Sequence, residues 1–267
     1  MTVLQDRAAN IAARFLSARR SAGGLADYPG TLPETLDEAY AVQDAAMADW
    51  GKTVIGWKVG RINPPLSERY GAGRLAGPIF HQETAEDGAT VKMPVFAQGF
   101  AAGEAEFLLR IGATPPAGKT SFTLDEAAAL IDAVHIGIEI ASSPLGPINA
   151  IGPAAVISDF GNNNGLLVGP ALAGWRGSGF EESNVTLLID GVEVGRGTAS
   201  EFEQGALGSA RFLFELMAKR GIALQPGQWI SSGAVGGVHA ANVGQVVEAR
   251  FGAYGTLSVK LVPMVAE

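Results

Sequence analysis

Cysteine is missing from the sequence altogether, since none of the 267 residues is one. Disulfide frameworks, thiolate nucleophiles, zinc ribbons and iron–sulfur clusters are therefore excluded together. Basic residues are also in the minority, with 19 Lys and Arg against 27 Asp and Glu, for a net charge of -8. Nucleic acids and anionic membranes are bound through clustered Lys and Arg, so neither is an expected partner. A small-molecule ligand is the better expectation.

Long apolar runs are lacking too. No stretch of the sequence is apolar for long enough to span a bilayer, and residues 1–7 include an acid instead of the continuous apolar segment of a secretory signal. Cytoplasmic residence is the simplest expectation. The hydrophobic share of 47% and the charged share of 17% are typical of a globular chain, not a disordered one.

The first fifty residues have the pattern of helices. Apolar side chains recur at helical spacing over residues 6–20, with Arg14, Arg19 and Arg20 on the other side of the wheel, which predicts a surface helix that exposes these arginines. Thr35 precedes two acidic residues and predicts the N-cap of a second helix that runs to about Trp50. We therefore predict a helical N-terminal segment over residues 1–51 and a β-rich, metal-binding catalytic domain over residues 52–267.

Beyond Gly51 the sequence consists of short β-branched or aromatic runs separated by Gly and Pro. The runs that predict strands are residues 53–59, 105–111, 134–140, 185–189 and 257–262. Two further helices are predicted over residues 123–134 and 206–220, and Asp190-Gly191 predicts a hairpin turn. Strands and helices do not alternate regularly, which disfavours a doubly wound parallel sheet. The expected fold is α+β, with a β-rich mixed roll or barrel.

Three carboxylates form the most informative pattern. Glu104 and Glu106 stand two apart at the start of an apolar strand, so both side chains project to the same face. Glu139 lies between Ile138 and Ile140, where a buried charge needs a partner. Such a set suits a hard cation, Mg²⁺ or Mn²⁺. The spacing alone leaves an alternative open, in which Glu104 and Glu106 lie on a solvated edge and Glu139 pairs with an arginine.

Lys58 is the one charge in an apolar strand, residues 54–60. An ammonium held there can have a lowered pKa and serve in proton transfer, or it can orient an anionic substrate. The alternative is an ordinary lysine that reaches solvent from the strand end.

Two glycine-rich turns are candidates for the wall of a pocket. They supply Asn163, Ser232 and the backbone N–H of Gly233, groups that suit a carboxylate ligand, and His239 follows the second turn closely enough to reach such a pocket. Clusters of this composition also occur as plain turns. No Ser-His-Asp set with a nucleophile elbow is present, which disfavours a serine hydrolase.

Taken in order, these motifs resemble the 2-keto-4-pentenoate hydratase and 4-oxalocrotonate decarboxylase branch of the fumarylacetoacetate hydrolase superfamily. The resemblance spans nearly the whole chain. The segments that carry it are Gly56-Trp57-Lys58-Val59-Gly60, Gly77-Pro78-Ile79-Phe80, Glu104-Ala105-Glu106, Gly137-Ile138-Glu139, the turn ending at Gly165, and Ser232-Gly233.

The resemblance implies a mixed β-rich roll, a homo-oligomer, and a Mg²⁺ or Mn²⁺ ion on Glu104, Glu106 and Glu139. The implied substrate is a 2-keto acid or its dienol, with Lys58 assisting proton transfer. The implied reaction is hydration of a 2-hydroxy-2,4-dienoate to a 4-hydroxy-2-oxo acid, as in aromatic catabolism. Decarboxylation of a vinylogous 2-keto acid, dehydration, isomerisation, carbon–carbon hydrolysis and a catalytically silent scaffold role are the alternatives.

The sequence departs from the family pattern at three places. Family hydratases commonly carry an Asp shortly before the glycine that matches Gly77, whereas this chain has Leu75 and Ala76 there. A family Asn-x-Ser turn is replaced by three asparagines, residues 162–164. The His-Pro or Gly-x-Pro pattern usual before the last long helix is missing from residues 201–206. These departures concern the choice of reaction more than the metal ligands.

Overall fold

The computed structural model describes residues 3–267, so the first two residues of the predicted N-terminal segment lie outside the described part. The helices are α1 (Val3–Arg20), α2 (Leu36–Trp50), α3 (Leu66–Tyr70), α4 (Leu124–Ala129), α5 (Ile148–Ile151), α6 (Pro153–Ser158) and α7 (Gly205–Arg220). Short 3-10 turns cover Phe160–Asn162, Phe180–Glu182, Ala199–Glu201 and Gly252–Tyr254.

The strands are β1 (Gly56–Arg61), β2 (Arg74–Ile79), β3 (Gln82–Thr84), β4 (Thr90–Val95), β5 (Phe100–Ile111), β6 (Ile131–Ser143), β7 (Asn163–Ala171), β8 (Val185–Ile189), β9 (Val192–Gly197), β10 (Trp229–Ser231), β11 (Val246–Arg250) and β12 (Thr256–Pro263). One sheet has the order β2-β1-β10-β5-β6-β7-β3, and the other has the order β4-β12-β11-β8-β9. Both contain parallel and antiparallel neighbours.

The predicted α+β class with a helical N-terminal segment is confirmed. The barrel alternative is wrong, because in the described chain neither sheet closes on itself and each ends in two edge strands. The hairpin predicted at Asp190-Gly191 joins β8 to β9, with both residues in the left-handed region at φ 49° and 81°. None of the helices in the described range is long and apolar enough to cross a membrane.

Two faces of the seven-stranded sheet have different roles. On one face, side chains such as Trp57, Val59 and Phe107 join the main core, together with α7 and the inner face of the five-stranded sheet. Residues that alternate with them on β1 and β5, including Lys58 and Glu106, project to the other face. The sheet therefore separates the packed core from a face that carries charged groups.

The N-terminal helices are capped as their sequence predicts. The Thr35 hydroxyl accepts a hydrogen bond from the Glu38 N–H at the start of α2, and Gly51 ends the helix in the left-handed region. Helices α1 and α2 share a second apolar cluster with Leu145, Ile148 and residues near α6. The division of the chain at residue 51 remains a prediction.

One helix is shorter than predicted. Thr123 and Glu126 form a capping box at the start of α4, but the helix ends at Ala129 instead of near residue 134. From Ile131 onward the chain pairs with β5 as an antiparallel strand. Alternate residues of this run are buried in the core, and this long-range pairing overrides any local continuation of the helix.

Candidate active site

The three predicted metal ligands converge on the two central strands. β5 and β6 are antiparallel neighbours in a register that places Glu104 directly opposite Glu139, and Glu106 follows two residues along the same face. One carboxylate oxygen from each of the three lies within 4.8 Å of the others. Their exposed fractions are 4%, 1% and 0% for Glu104, Glu106 and Glu139. The alternative of a solvated edge is therefore wrong for this pair of strands.

Lys58 of β1 completes the charged group. Its Nζ lies 3.3 Å from Oε2 of Glu139, and its side chain is buried. Burial alone would lower the pKa of Lys58, but the carboxylates of Glu139, Glu104 and Glu106 outweigh it and raise the pKa above its ordinary value. The lowered pKa expected for a lysine in an apolar strand is therefore wrong. The alternative of a lysine reaching solvent is wrong, and Nζ holds a proton beside the carboxylate cluster.

Burial has the largest effect on the pKa values of Glu104 and Glu106. It raises the pKa of Glu104 to about 7, against the opposing effect of Lys58. Burial, with the charges of Glu139 and Glu104, raises the pKa of Glu106 well above its ordinary range. Three carboxylates this close in a dry environment are not all charged at neutral pH with a single ammonium as partner.

The donor set suits a hard divalent cation. All candidate ligand atoms are carboxylate oxygens, which Mg²⁺ and Mn²⁺ prefer. Oε1 of Glu106 is buried and accepts no hydrogen bond from any group in residues 3–267. A buried carboxylate oxygen without a donor is what a metal ligand would leave when the ion is taken away. The residues therefore fit the implied cofactor.

Neighbouring groups hold two of the carboxylates in place. The Ser231 hydroxyl and the Gly233 N–H both donate to Oε2 of Glu106, at 2.5 and 2.8 Å. The Asn163 amide donates to Oε1 of Glu139 at 2.9 Å. The Gly165 N–H donates to Oδ1 of Asn163 at 3.1 Å, which fixes the amide orientation. Such partners orient metal ligands and tune their affinity.

A compact turn covers Lys58. Phe160, Gly161 and Asn162 have φ values of 55°, 68° and 66°, all in the left-handed region. A Cβ on Gly161 would lie 2.9 Å from Cδ of Lys58, and one on Gly77 would lie 2.3 Å from the Phe160 carbonyl oxygen. Only glycines allow the turn and β2 to approach each other and the lysine this closely.

A buried ion pair ties this turn to the N-terminal helix. Nε and Nη2 of Arg19 donate to the two carboxylate oxygens of Asp159 at 2.6 and 3.0 Å, and Ser143 donates a further hydrogen bond to Asp159. The guanidinium also lies over the ring of Phe96 and over the ring of Phe160. Arg19, expected on the exposed side of a surface helix, is instead 3% exposed.

The structure places the predicted substrate-binding residues in different surroundings. Asn163 and Gly233 contact the carboxylate cluster directly. The Ser232 hydroxyl is buried and donates to the Phe107 carbonyl. His239 contacts the Gly236 carbonyl, and no hydrogen bond among the described residues joins it to the cluster. Their contact with a substrate stays a prediction.

Sequence reasoning missed several supporting residues. Ser231 stands beside Ser232 in a turn that was singled out, but only the pairing of β10 with β5 shows which serine faces Glu106. Arg19 and Asp159 are separated by 140 residues, so no local pattern could have joined them. A signal was available for Asp159, since it is an acid at the start of a glycine and asparagine turn.

Solved structures with related folds were found, whereas no protein-family model matches the chain. The 4-oxalocrotonate decarboxylase from Pseudomonas putida G7 complexed with magnesium and adipate is similar with 19% identity and a TM-score of 0.78, over 98% of this chain and 99% of that one. The same enzyme complexed with calcium and acetate has a TM-score of 0.77 at the same identity and coverage.

A second enzyme matches over a shorter range. Fumarylpyruvate hydrolase from Pseudomonas aeruginosa, in complex with Mn²⁺ and pyruvate, has 16% identity and a TM-score of 0.57, over 78% of this chain and 89% of that one. At sequence identities this low, the similarity shows that the folds are related and nothing more. The chain has a fumarylacetoacetate hydrolase-like fold, as the sequence resemblance implied.

Proposed function

We propose that this chain is a divalent-metal-dependent lyase that acts on a 2-keto acid or its dienol. The observation that carries the proposal is the buried group of Glu104, Glu106 and Glu139 with the Lys58 ammonium against it. A structural role would not require three buried acids with oxygens within 4.8 Å of one another, because such a group destabilises the fold unless something compensates its charge.

The proposed cofactor is Mg²⁺ or Mn²⁺. When bound, the ion would chelate the carboxylate and 2-oxo oxygens of the substrate and stabilise negative charge on the 2-oxo oxygen. The fold relatives described in complex with magnesium or Mn²⁺ support this choice. Ser231, Gly233 and Asn163 would keep the ligand oxygens of Glu106 and Glu139 in position.

Lys58 is the proposed proton-transfer group. It holds a proton at Nζ in a site where only 6% of the residue is exposed, and the turn at Gly161 packs against its side chain. Its proton can move to the terminal carbon of a dienol, and the proton that the 2-hydroxyl loses as it becomes a ketone then returns to Nζ, so that the ammonium is restored. The restricted side chain fixes where that proton is delivered.

Hydration of a 2-hydroxy-2,4-dienoate is the first candidate reaction. Ketonisation of the dienol places a proton on its terminal carbon and makes a conjugated enone. Water then adds to the far end of the enone and gives a 4-hydroxy-2-oxo acid. This reaction needs a group that activates water in addition to Lys58.

Decarboxylation of a vinylogous 2-keto acid is the second candidate, and Leu75 favours it. Leu75 lies where family hydratases carry an acid, and it is 4% exposed in an apolar cluster with Ile62 and Ile157. Loss of carbon dioxide needs a site that stabilises the resulting negative charge and a proton donor, but no activated water. Whole-chain similarity to a decarboxylase supports the same reading.

The two reactions are distinguished with the purified protein and Mg²⁺. Hydration predicts loss of the ultraviolet absorbance of 2-hydroxypenta-2,4-dienoate, and decarboxylation predicts carbon dioxide release from a 2-oxo-3-enedioate. The variant Glu106→Gln should lose Mg²⁺ binding and turnover, whereas Glu193→Gln, in an exposed ion pair, should keep both. Unchanged Mg²⁺ affinity in Glu106→Gln would refute the metal site. Mg²⁺ binding without turnover of any dienol or keto acid would favour the scaffold alternative.

The assembly is a separate proposal. The homo-oligomer implied by the resemblance is checked by light scattering of the purified chain, and a monomeric mass at micromolar concentration would contradict it.

A further inference from the structure

The hydroxyl of Ser209 connects α7 to the turn beside the candidate active site. Ser209 is 1% exposed, and its hydroxyl donates to the Ser232 carbonyl oxygen at 2.7 Å. A serine inside a helix ordinarily bonds a carbonyl three or four residues earlier in the same helix. Here the hydroxyl instead leaves α7 and reaches the turn that follows β10.

The accepting carbonyl belongs to the same peptide group as an N–H that holds a candidate metal ligand. The Ser232 carbonyl and the Gly233 N–H are the two polar ends of one planar trans peptide, so they point in opposite directions. The carbonyl end faces Ser209, and the N–H end donates to Oε2 of Glu106 at 2.8 Å. One peptide group thus joins α7, which packs on the core face of the sheet, to a carboxylate on the other face.

The glycine at position 233 gives this peptide unusual freedom to rotate. Gly233 has φ of 120°, a conformation that residues with a side chain rarely adopt, and glycine has the widest range of backbone conformations. A half-turn of the peptide would withdraw the N–H from Glu106 and turn the carbonyl oxygen toward the carboxylates. A hydrogen bond at the carbonyl end opposes that rotation.

Two other hydrogen bonds hold the path of the turn beside β5. The Ser232 hydroxyl donates to the Phe107 carbonyl at 2.7 Å, and the Val235 N–H donates to the Ala105 carbonyl at 2.8 Å. Neither bond involves the carbonyl or the N–H of the peptide between residues 232 and 233. The contribution of Ser209 is therefore different in kind, because it acts on the orientation of that peptide.

We infer that Ser209 is a positioning residue, whose hydrogen bond to the Ser232 carbonyl keeps the Gly233 N–H on Glu106 and thereby supports metal binding. The inference rests on the proposed function for its metal ion and deepens it by adding α7 to the groups that control the site. Hydrogen bonds in a chain also polarise one another, which strengthens each by roughly 10–30%. The hydroxyl thus both orients the N–H and makes it a better donor.

Isotope labelling reports on this one amide. Only two serines in the sequence are followed by glycine, Ser178 and Ser232. With ¹³C at the serine carbonyls and ¹⁵N at glycine, introduced by cell-free synthesis, only the amides of Gly179 and Gly233 show the carbonyl coupling. In Ser209→Ala without Mg²⁺, the Gly233 proton signal should move upfield and exchange faster with water, because its bond to a carboxylate is weakened. The exposed Gly179 is the internal reference and should not change.

Calorimetric titration with Mg²⁺ measures the consequence for the metal site. Ser209→Ala should bind Mg²⁺ about 3- to 10-fold more weakly, less than the loss of about 10- to 100-fold that follows removal of a group bonded directly to a ligand. Ser158→Ala is the matched control, because Ser158 is also buried on a helix and its hydroxyl donates to the Ala154 carbonyl at 2.7 Å. It should keep the wild-type Gly233 signal and the wild-type Mg²⁺ affinity.

The outcomes separate this inference from the proposed function. A Gly233 signal that is unchanged in Ser209→Ala would overturn the inference and leave the proposed function in place, as would a moved signal with unchanged Mg²⁺ affinity. If Ser158→Ala moved the signal and weakened Mg²⁺ binding as much as Ser209→Ala does, the cause would be a general loss of packing and the inference would be overturned. Absence of Mg²⁺ binding by the wild-type protein would overturn both.

Discussion

The buried ion pair between Arg19 and Asp159 allows a quantitative prediction. In Arg19→Met the apolar part of the side chain is largely kept. Asp159, however, becomes a buried carboxylate that has lost its cationic partner. Removing one member of such a pair costs about 3–5 kcal/mol, because the other charge stays desolvated without compensation. The loss is a large fraction of the 5–15 kcal/mol that is typical of the free energy of unfolding.

The exposed pair of Arg110 and Asp132 is the matched control. Its contact is also bidentate, at 2.9 and 2.8 Å, but the two side chains are 44% and 42% exposed, against 4% and 1% for Arg19 and Asp159. Arg110→Met should cost at most about 1 kcal/mol. The geometry of the two pairs is alike, so a difference between the variants isolates the effect of burial.

Urea denaturation followed by circular dichroism measures both variants. Arg19→Met should also melt roughly 6–15 °C below the wild type, at about 2–3 °C per kcal/mol for a chain of this size. The double variant Arg19→Met/Asp159→Leu should recover part of the lost stability, because an apolar pair avoids the desolvation cost. Equal losses in Arg19→Met and Arg110→Met, or a double variant no better than the single one, would refute the reasoning.

Three further predictions concern the site. Asn163→Ala removes the donor to Glu139 and should weaken Mg²⁺ binding about 10- to 100-fold in calorimetry; an unchanged affinity would contradict it. Gly77→Ala brings a Cβ to 2.3 Å from a backbone oxygen and should lower the free energy of unfolding, measured with urea, by about 1–3 kcal/mol. Gly73→Ala, whose added Cβ has nothing within 4 Å, should lower it little. Equal losses in the two variants would contradict the packing argument. The affinity for Mg²⁺ should rise from pH 6 to pH 8, and binding should release a proton. The reason is that burial raises the pKa of Glu104 to about 7, so the metal ion competes with a proton for this carboxylate. An affinity independent of pH would contradict this prediction.

The carboxylate site could be predicted because its signal is local. A strand repeats every two residues, so Glu104 and Glu106 had to share a face, and apolar neighbours indicated burial of Glu139. Which strands would be adjacent did not follow from periodicity. The resemblance to a known family joined the two segments, and the β5–β6 register then placed Glu104 opposite Glu139.

Other parts of the molecule depend on contacts that sequence patterns do not contain. Arg19 has the spacing of an exposed helix residue, yet it is buried because the turn at Asp159 folds over it. Arg61 and Arg74 lie on different strands, and only the register of β1 with β2 places them opposite each other. Residues 131–134 follow a well-capped helix, and only their partner strand decides that they are extended.

The central position of β5 and β6 in their sheet affects how the site can change. β5 lies between β10 and β6, and β6 lies between β5 and β7, so the amides of both strands should exchange with solvent only in the largest unfolding events. Gly161 and Gly233 lie instead in a short turn and just after a short strand, segments that open more readily. The three glutamates are thus held as persistently as the core itself, whereas substitutions in the turns that contact them can alter the surroundings of the carboxylates without disturbing the sheet.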